Sequence, residues 1–190
     1  DAWAQIQQVQ SELTFQDALR TWLHRTPIHG SMPGDPDDEA AVQRFIDNYL
    51  EQFETFMDRQ LKTLEASMPE SGDNSARFER SKAAAREFLL ALDAEEPHRA
   101  RMRRIRAGLL FIESYRELPL LAWPRLLIDS VVELEQLTLI WRNRHARMVE
   151  RMIGRRVGTG GSSGVDYLDK TGKVRIFTDL WAVRTVMMPK

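Results

Sequence analysis

His145 and the glycine-rich loop that follows it have the residue types best suited to chemistry in this chain. Leu127, Val131, Leu134, Thr138, Trp141, His145, Met148 and Met152 alternate in steps of four and three, so all eight lie along one helical stripe. The stripe suits burial, and His145 is its one titratable member, one turn below Trp141. Two readings of that imidazole stand side by side. It is a core histidine bonded to a neighbouring helix, or a neutral ligand facing a cavity between helices, where bundles hold cofactors. Arg147, Arg151 and Arg155 fall on another face, where solvent can hold them.

The loop runs Gly158-Thr159-Gly160-Gly161-Ser162-Ser163-Gly164, without charge or proline. Its glycines permit positive φ and close approach, and its N–H groups and hydroxyls can grip a carboxylate, an ammonium or a phosphate. A flexible turn is the plainer reading. A nucleotide loop is disfavoured, because such loops follow a strand, and here a helix precedes the glycines and no Gly-Lys-Ser/Thr follows. Elsewhere His29 lies in the loop 26–37, TPIHGSMPGDPD, with three prolines and two glycines. It reads as an ordinary loop histidine or as an active-site acid or base. His24 and His98 have no distinguishing context.

The elements that must position these residues read as helices. Phe15, Ala18, Leu19, Trp22 and Leu23 make an apolar face, with Thr14 and Asp17 able to cap its start. Residues 37–67 form a second helix with a wide apolar face from Val42 to Leu64. A polar break at 68–75, expected to be mobile, separates it from a third helix at 76–92. A fourth runs over 95–117, opening on the basic run RARMRRIR from Arg99, expected as a solvated face or a set of intersubunit ion pairs. Trp123-Pro124 starts the long helix that bears His145, since proline fits a first turn. Residues 166–175 contain a turn, and 177–186 form a closing helix with Thr178 as N-cap. The sum is an all-α helical bundle, a single domain over 1–190 with no repeat and no clear boundary.

Composition narrows the function. The chain has 190 residues, a net charge of −1 and no cysteine. Thiolate nucleophiles, disulfides, zinc-thiolate sites and iron–sulfur clusters are excluded for this chain. A heme can be held only through His, Met or Tyr. Neither the balance of charge nor any interleaving of aromatics points to nucleic acid. No apolar run reaches the roughly 18 residues of a membrane span, and no signal peptide is visible. Cytoplasm is the expected compartment. The chain opens on Asp1 rather than Met, and a fragment or trimmed product is expected.

Several rare residue types recur in a fixed order: Trp141-Arg142-x-Arg144-His145, Met148-Val149-x-Arg151-x-Ile153-Gly154, then Gly158 to Val165-x-Tyr167-Leu168, and Phe177-x-x-Leu180-Trp181-x-x-Arg184-Thr185. Over Leu118 to Thr185 this resembles the tryptophan 2,3-dioxygenase superfamily of heme-dependent aromatic oxygenases. The resemblance implies heme b between helices, with His145 as axial ligand of the iron and Trp141 and Met148 beside the cofactor. It implies that Thr159, with Gly160, Gly161, Ser162 and Ser163, holds the polar end of a small aromatic substrate. Dioxygen or hydrogen peroxide would be the oxidant, and a homo-oligomer the working form.

Two features depart from the tryptophan dioxygenases. Their N-terminal motifs, like His-Gln-x-x-Glu-Leu and Phe-Gln-Ser-x-Gln-x-Arg, are not found here, so that half is absent or the chain is of a divergent branch. The stretch from Ala18 to Ser31 is more similar to the actinobacterial branch that includes tyrosine hydroxylases and methylindole oxygenases. The expected function is therefore hydroxylation of L-tyrosine to 3,4-dihydroxyphenylalanine, with oxygenation of an indole as the alternative. A heme-binding or assembly subunit without turnover is a third reading, and a helical interaction domain without cofactor a fourth.

Overall fold

The computed structural model describes residues 13–67, 74–156 and 164–188. The described residues are all-α, without a strand. Seven helices follow in order among the described residues: α1 (Phe15–His24), α2 (Asp38–Ser67), α3 (Asn74–Leu89), α4 (His98–Ser114), α5 (Ala122–Ile153), α6 (Val165–Thr171) and α7 (Thr178–Thr185). A 3-10 turn, Pro119–Leu121, leads into α5. Contacts divide the chain into two compact units, residues 1–116 with 182–190, and residues 117–181.

In the first unit α1 starts on the expected capping box. Thr14 Oγ1 accepts from the Asp17 N–H at 3.1 Å, and the Asp17 carboxylate accepts from the Thr14 N–H at 3.2 Å, which meets two of the donors every helix start leaves open. Leu19 and Leu23 are buried, and α1 packs on α4. Helix α2 buries Val42, Phe45, Ile46, Tyr49 and Phe53 and packs on α3 and α4. Its expected apolar face is thus covered in the N-terminal half; Phe56, Met57, Leu61 and Leu64 are only partly covered.

Helix α4 is the centre of this unit. From Arg104 to Leu110 every residue is buried. Gly108 permits its close approach to the end of α1, since a Cβ there would stand 2.7 Å from the Leu23 carbonyl oxygen. The solvated face expected of the basic run is corrected here, because Arg104 and Arg106 are interior. Arg106 makes a bidentate pair with Asp93 at 2.6 and 2.7 Å and donates to the Phe88 carbonyl at 3.1 Å. Buried guanidiniums survive when carboxylates and carbonyls meet most of their charge and donors, and Arg104 faces Asp38 at 2.9 Å.

In the second unit α5 carries His145, and α6 packs on it. Arg155 meets Glu150 at 3.0 Å and Asp166 at 2.7 Å, and Arg147 pairs with Glu150 and Asp169. The positions buried on α5 are Ile128, Val131, Glu135 and Ala146. This corrects the stripe expected from spacing, which shares only Val131 with them. Leu134, Trp141, Met148 and Met152 are exposed, and His145 is half-buried. The turn expected at Lys170–Lys173 is present, closed by the Lys173 N–H on the Lys170 carbonyl at 3.1 Å, and helix α6, which the sequence reading did not expect, leads into it. The polar break at 68–73 lies outside the described residues.

Candidate functional site

Two candidate regions emerge, one in each unit. In the second unit the rings of Trp141 and His145 stack with centroids 5.4 Å apart and planes 27° from parallel, as four-residue spacing on one helix face permits. They open on a cavity of about 360 Å³ lined by Arg142, Tyr167, Leu168, Thr171 and Val174. Arg142 fixes the far wall, donating through Nη1 to the carbonyls of Thr171 (3.3 Å) and Val174 (3.1 Å). Further along, Glu135 is 3 % exposed. Its carboxylate accepts from the backbone N–H groups of Ile176 and Phe177 and from Trp181 Nε1. Arg175 then lies over the Trp181 ring at 4.5 Å. One acid on α5 thereby anchors the segment after α6.

Among the described residues, no hydrogen bond reaches the His145 imidazole. Its surroundings on α5 are apolar and open: Trp141 is 63 % exposed and Met148 54 %. Met148 is on the same helix but does not line the cavity. Thr159, Gly160, Gly161, Ser162 and Ser163 lie outside the described residues. Gly164 is described, caps the start of α6 and has φ 59°.

In the first unit, His29 and Gly30 are the central residues of a tight turn, with φ of 50° and 87°. Ile28 and Ser31 close it with two backbone hydrogen bonds of 3.0 Å. Two consecutive positive φ values are those of a type I′ turn, and a non-glycine residue there costs about 1 kcal/mol. The His29 side chain is exposed, yet its ring meets Phe45, Phe111 and Tyr115 edge-on at 5.7, 5.5 and 6.3 Å. Tyr115 also borders a cavity of about 610 Å³, shared with Tyr49, Gln52, Glu113, Arg184 and Met188. Glu113 is 2 % exposed and stands 3.7 Å from Arg184. Tyr49 donates to the Val186 carbonyl at 2.8 Å and accepts from the Met188 N–H at 3.2 Å; burial raises its pKa. His24 is shifted the other way, below the usual histidine value, by burial first and by the Arg104 charge second.

His145 and Trp141, which the sequence sets one helical turn apart, stack in the structure. The sequence reading missed Glu135, Arg104 and Arg106, because a charged residue at helical spacing reads as surface. The Tyr49 partners are 137 and 139 residues away, and no local pattern reveals them.

A family model described as tryptophan 2,3-dioxygenase matches residues 2–187. The chain belongs to the tryptophan 2,3-dioxygenase family. It is 50 % identical over 182 residues to a tryptophan 2,3-dioxygenase-like protein of Xanthomonas campestris pv. campestris, covering 93 % of this chain and 66 % of that one. It is 48 % identical to tryptophan 2,3-dioxygenase 2 of Ralstonia nicotianae, over 93 % of this chain and 48 % of the relative. With the tryptophan 2,3-dioxygenase of Mus musculus the identity is 33 %, over 95 % and 44 %. The chain thus spans between about two fifths and two thirds of the length of these relatives.

Tryptophan 2,3-dioxygenases are heme-dependent, and the cofactor of the family is heme b. The residues on α5 fit such a group. A half-buried imidazole with no competing hydrogen bond can donate its ring nitrogen to iron, and the exposed apolar side chains around it can lie against a flat macrocycle. Among the described residues no three His, Asp or Glu side chains cluster. No helix of the described residues is long and apolar enough to cross a membrane.

Proposed function

We propose that the chain holds heme b through His145 and serves the oxygenation, by dioxygen, of an indole substrate of the tryptophan class. The observation that carries this reading is the His145 imidazole, stacked on Trp141 and open to a cavity on an apolar side of α5. Heme bound there supplies the oxygen-activating redox chemistry that no side chain of this chain has. The remaining work belongs to the protein. His145 offers a neutral nitrogen, and Trp141 and Met148 exclude water beside it. Arg142 holds the wall formed by Thr171 and Val174. Thr159, with Gly160, Gly161, Ser162 and Ser163, takes the polar end of the substrate. His29 acts as acid or base, moving a proton at its ring nitrogen.

The names of the relatives favour the indole alternative over tyrosine hydroxylation. The second reading, hydroxylation of L-tyrosine with dioxygen or hydrogen peroxide, rests on the stretch from Ala18 to Ser31 alone. Titrating the heme-loaded chain with L-tryptophan, 2-methylindole and L-tyrosine separates them. The first reading expects the heme absorption band to shift with an indole, and an oxygenated indole product. A shift and hydroxylated product with tyrosine alone would replace it by the second. Heme bound without any turnover would make the chain a heme-binding subunit. Thr159→Ala should weaken substrate binding at least tenfold while heme stays bound, the loss of about one charge-assisted hydrogen bond. A homo-oligomer suits the open apolar side chains of Leu134, Leu137 and Trp141, and sedimentation of the heme-loaded chain tests it.

A further inference from the structure

We propose that Arg104 is the positioning residue for His29, holding the turn that presents its imidazole. The inference rests on the reading of His29 as an acid or base. Arg104 is 5 % exposed and lies at the centre of α4. Its guanidinium does not meet one partner but a whole loop. Nε donates to the His24 carbonyl at 3.0 Å, and Nη2 donates to the carbonyls of Thr26 (3.2 Å) and Ser31 (3.4 Å). Nη1 faces Asp38 at 2.9 Å, and Asp38 in turn accepts from Ser31 Oγ at 3.0 Å. The contacts fall at the entry of the loop, before the turn and on its closing residue. Between them His29 is held at φ 50°, a conformation that needs surrounding structure to persist.

The geometry suits presentation more than simple packing. Here the planar fork spans carbonyls that precede the turn and the one on its closing residue, a reach that a lysine ammonium cannot match. The turn is thereby fixed relative to Phe45 and Phe111, which come from α2 and α4 and flank the His29 ring.

The test compares the full chain with its Arg104→Lys variant. His29 ring protons in the parent feel three aromatic rings, and their NMR signals should stand apart from those of exposed His98. In Arg104→Lys they should move toward the His98 values, and turnover of the heme-loaded protein should fall roughly tenfold to a hundredfold in kcat with little change in KM. A lowered melting temperature with His29 signals unmoved would overturn the proposal and leave Arg104 a structural residue. If Arg104→Lys does not fold, Ser31→Ala removes only the Ser31–Asp38 bond. It should shift the same signals in the same direction by less, and unmoved signals would again overturn the proposal. His29→Gln separates the two layers. Full activity in that variant sinks the acid–base reading, while the NMR result still decides whether Arg104 positions the turn.

Discussion

The two histidines singled out from the sequence are held in opposite ways. His29 lies on a flexible type of element, a four-residue turn, but that turn is tied from beneath by the interior pair of Arg104 and Asp38. His145 lies on a stiff element, the 32-residue helix α5, but its side is bare apart from Trp141 and the wall that Arg142 holds. In the first unit, buried charge fixes backbone. In the second, buried charge works away from the histidine, where Glu135 anchors the segment 176–181. The lesson is about where rigidity comes from. A loop residue needs polar ties to be placed, whereas a helix places its residue without help and can leave that side chain free to take a ligand.

That contrast can be broken or sharpened by substitution, beginning with the largest effect. Glu135→Ala leaves three donors without their acceptor and should cost about 3 kcal/mol, read by urea unfolding. Loss of cooperativity in the second unit, with His145 still able to take heme, would sharpen the division between anchor and site. An unchanged midpoint would show that the carboxylate is not an anchor. Gly108→Ala comes next. Its Cβ would strike the Leu23 carbonyl at 2.7 Å and the Thr26 Cβ at 3.2 Å, and backbone cannot yield cheaply. A loss of about 2 kcal/mol is expected. Gly172→Ala is the counterpart in the second unit. There the Cβ meets the Asn143 side-chain oxygen at 3.0 Å, which can turn away, so a change within about 0.5 kcal/mol is expected. Equal effects at the two glycines would contradict the picture of a tightly tied turn and a looser site.

The smallest effect is a pH dependence in the first unit. The hydrogen bonds from Arg106 hold the Asp93 carboxyl below its usual value of 3.8. The folded state therefore binds the proton less readily than the unfolded state. The stabilisation is fully present above pH 3.8 and is lost as pH falls through the lower folded value. The gap in melting temperature between the parent and Asp93→Asn should be constant from neutral pH to about pH 5 and close below pH 4. A gap that persists at pH 2 would mean that the ion pair is not its cause.

What was legible in the sequence was local. Thr14 and Asp17 form the capping box their three-residue spacing announces, and the proline- and glycine-rich loop ends where α2 begins at Asp38. The all-α class followed from apolar periodicity in the same way. The burial pattern of α5 was not legible, because two adjacent stripes on it are both apolar. Ile128, Val131 and Ala146 pack, while Leu134, Trp141 and Met148 do not. Spacing defines a face without saying which face has a neighbour. Interior arginines were hidden for a related reason. Whether Arg104 sits in solvent depends on carbonyls 73 to 80 residues away. Helix α6 was missed because seven residues between glycines carry too little periodicity to register. The likeness around His145 was readable because it rests on residue identity and order, which burial does not alter.

The measurement that bears most directly on the account is the absorption spectrum of the heme-loaded chain beside that of its His145→Ala variant, with circular dichroism on both. His145 is half-buried on an open side of α5, so its removal should leave the helices intact. The account predicts an intense heme band in the parent and its loss in the variant at unchanged helix content. The same band at the same position in both proteins would contradict the assignment of His145 as the iron ligand.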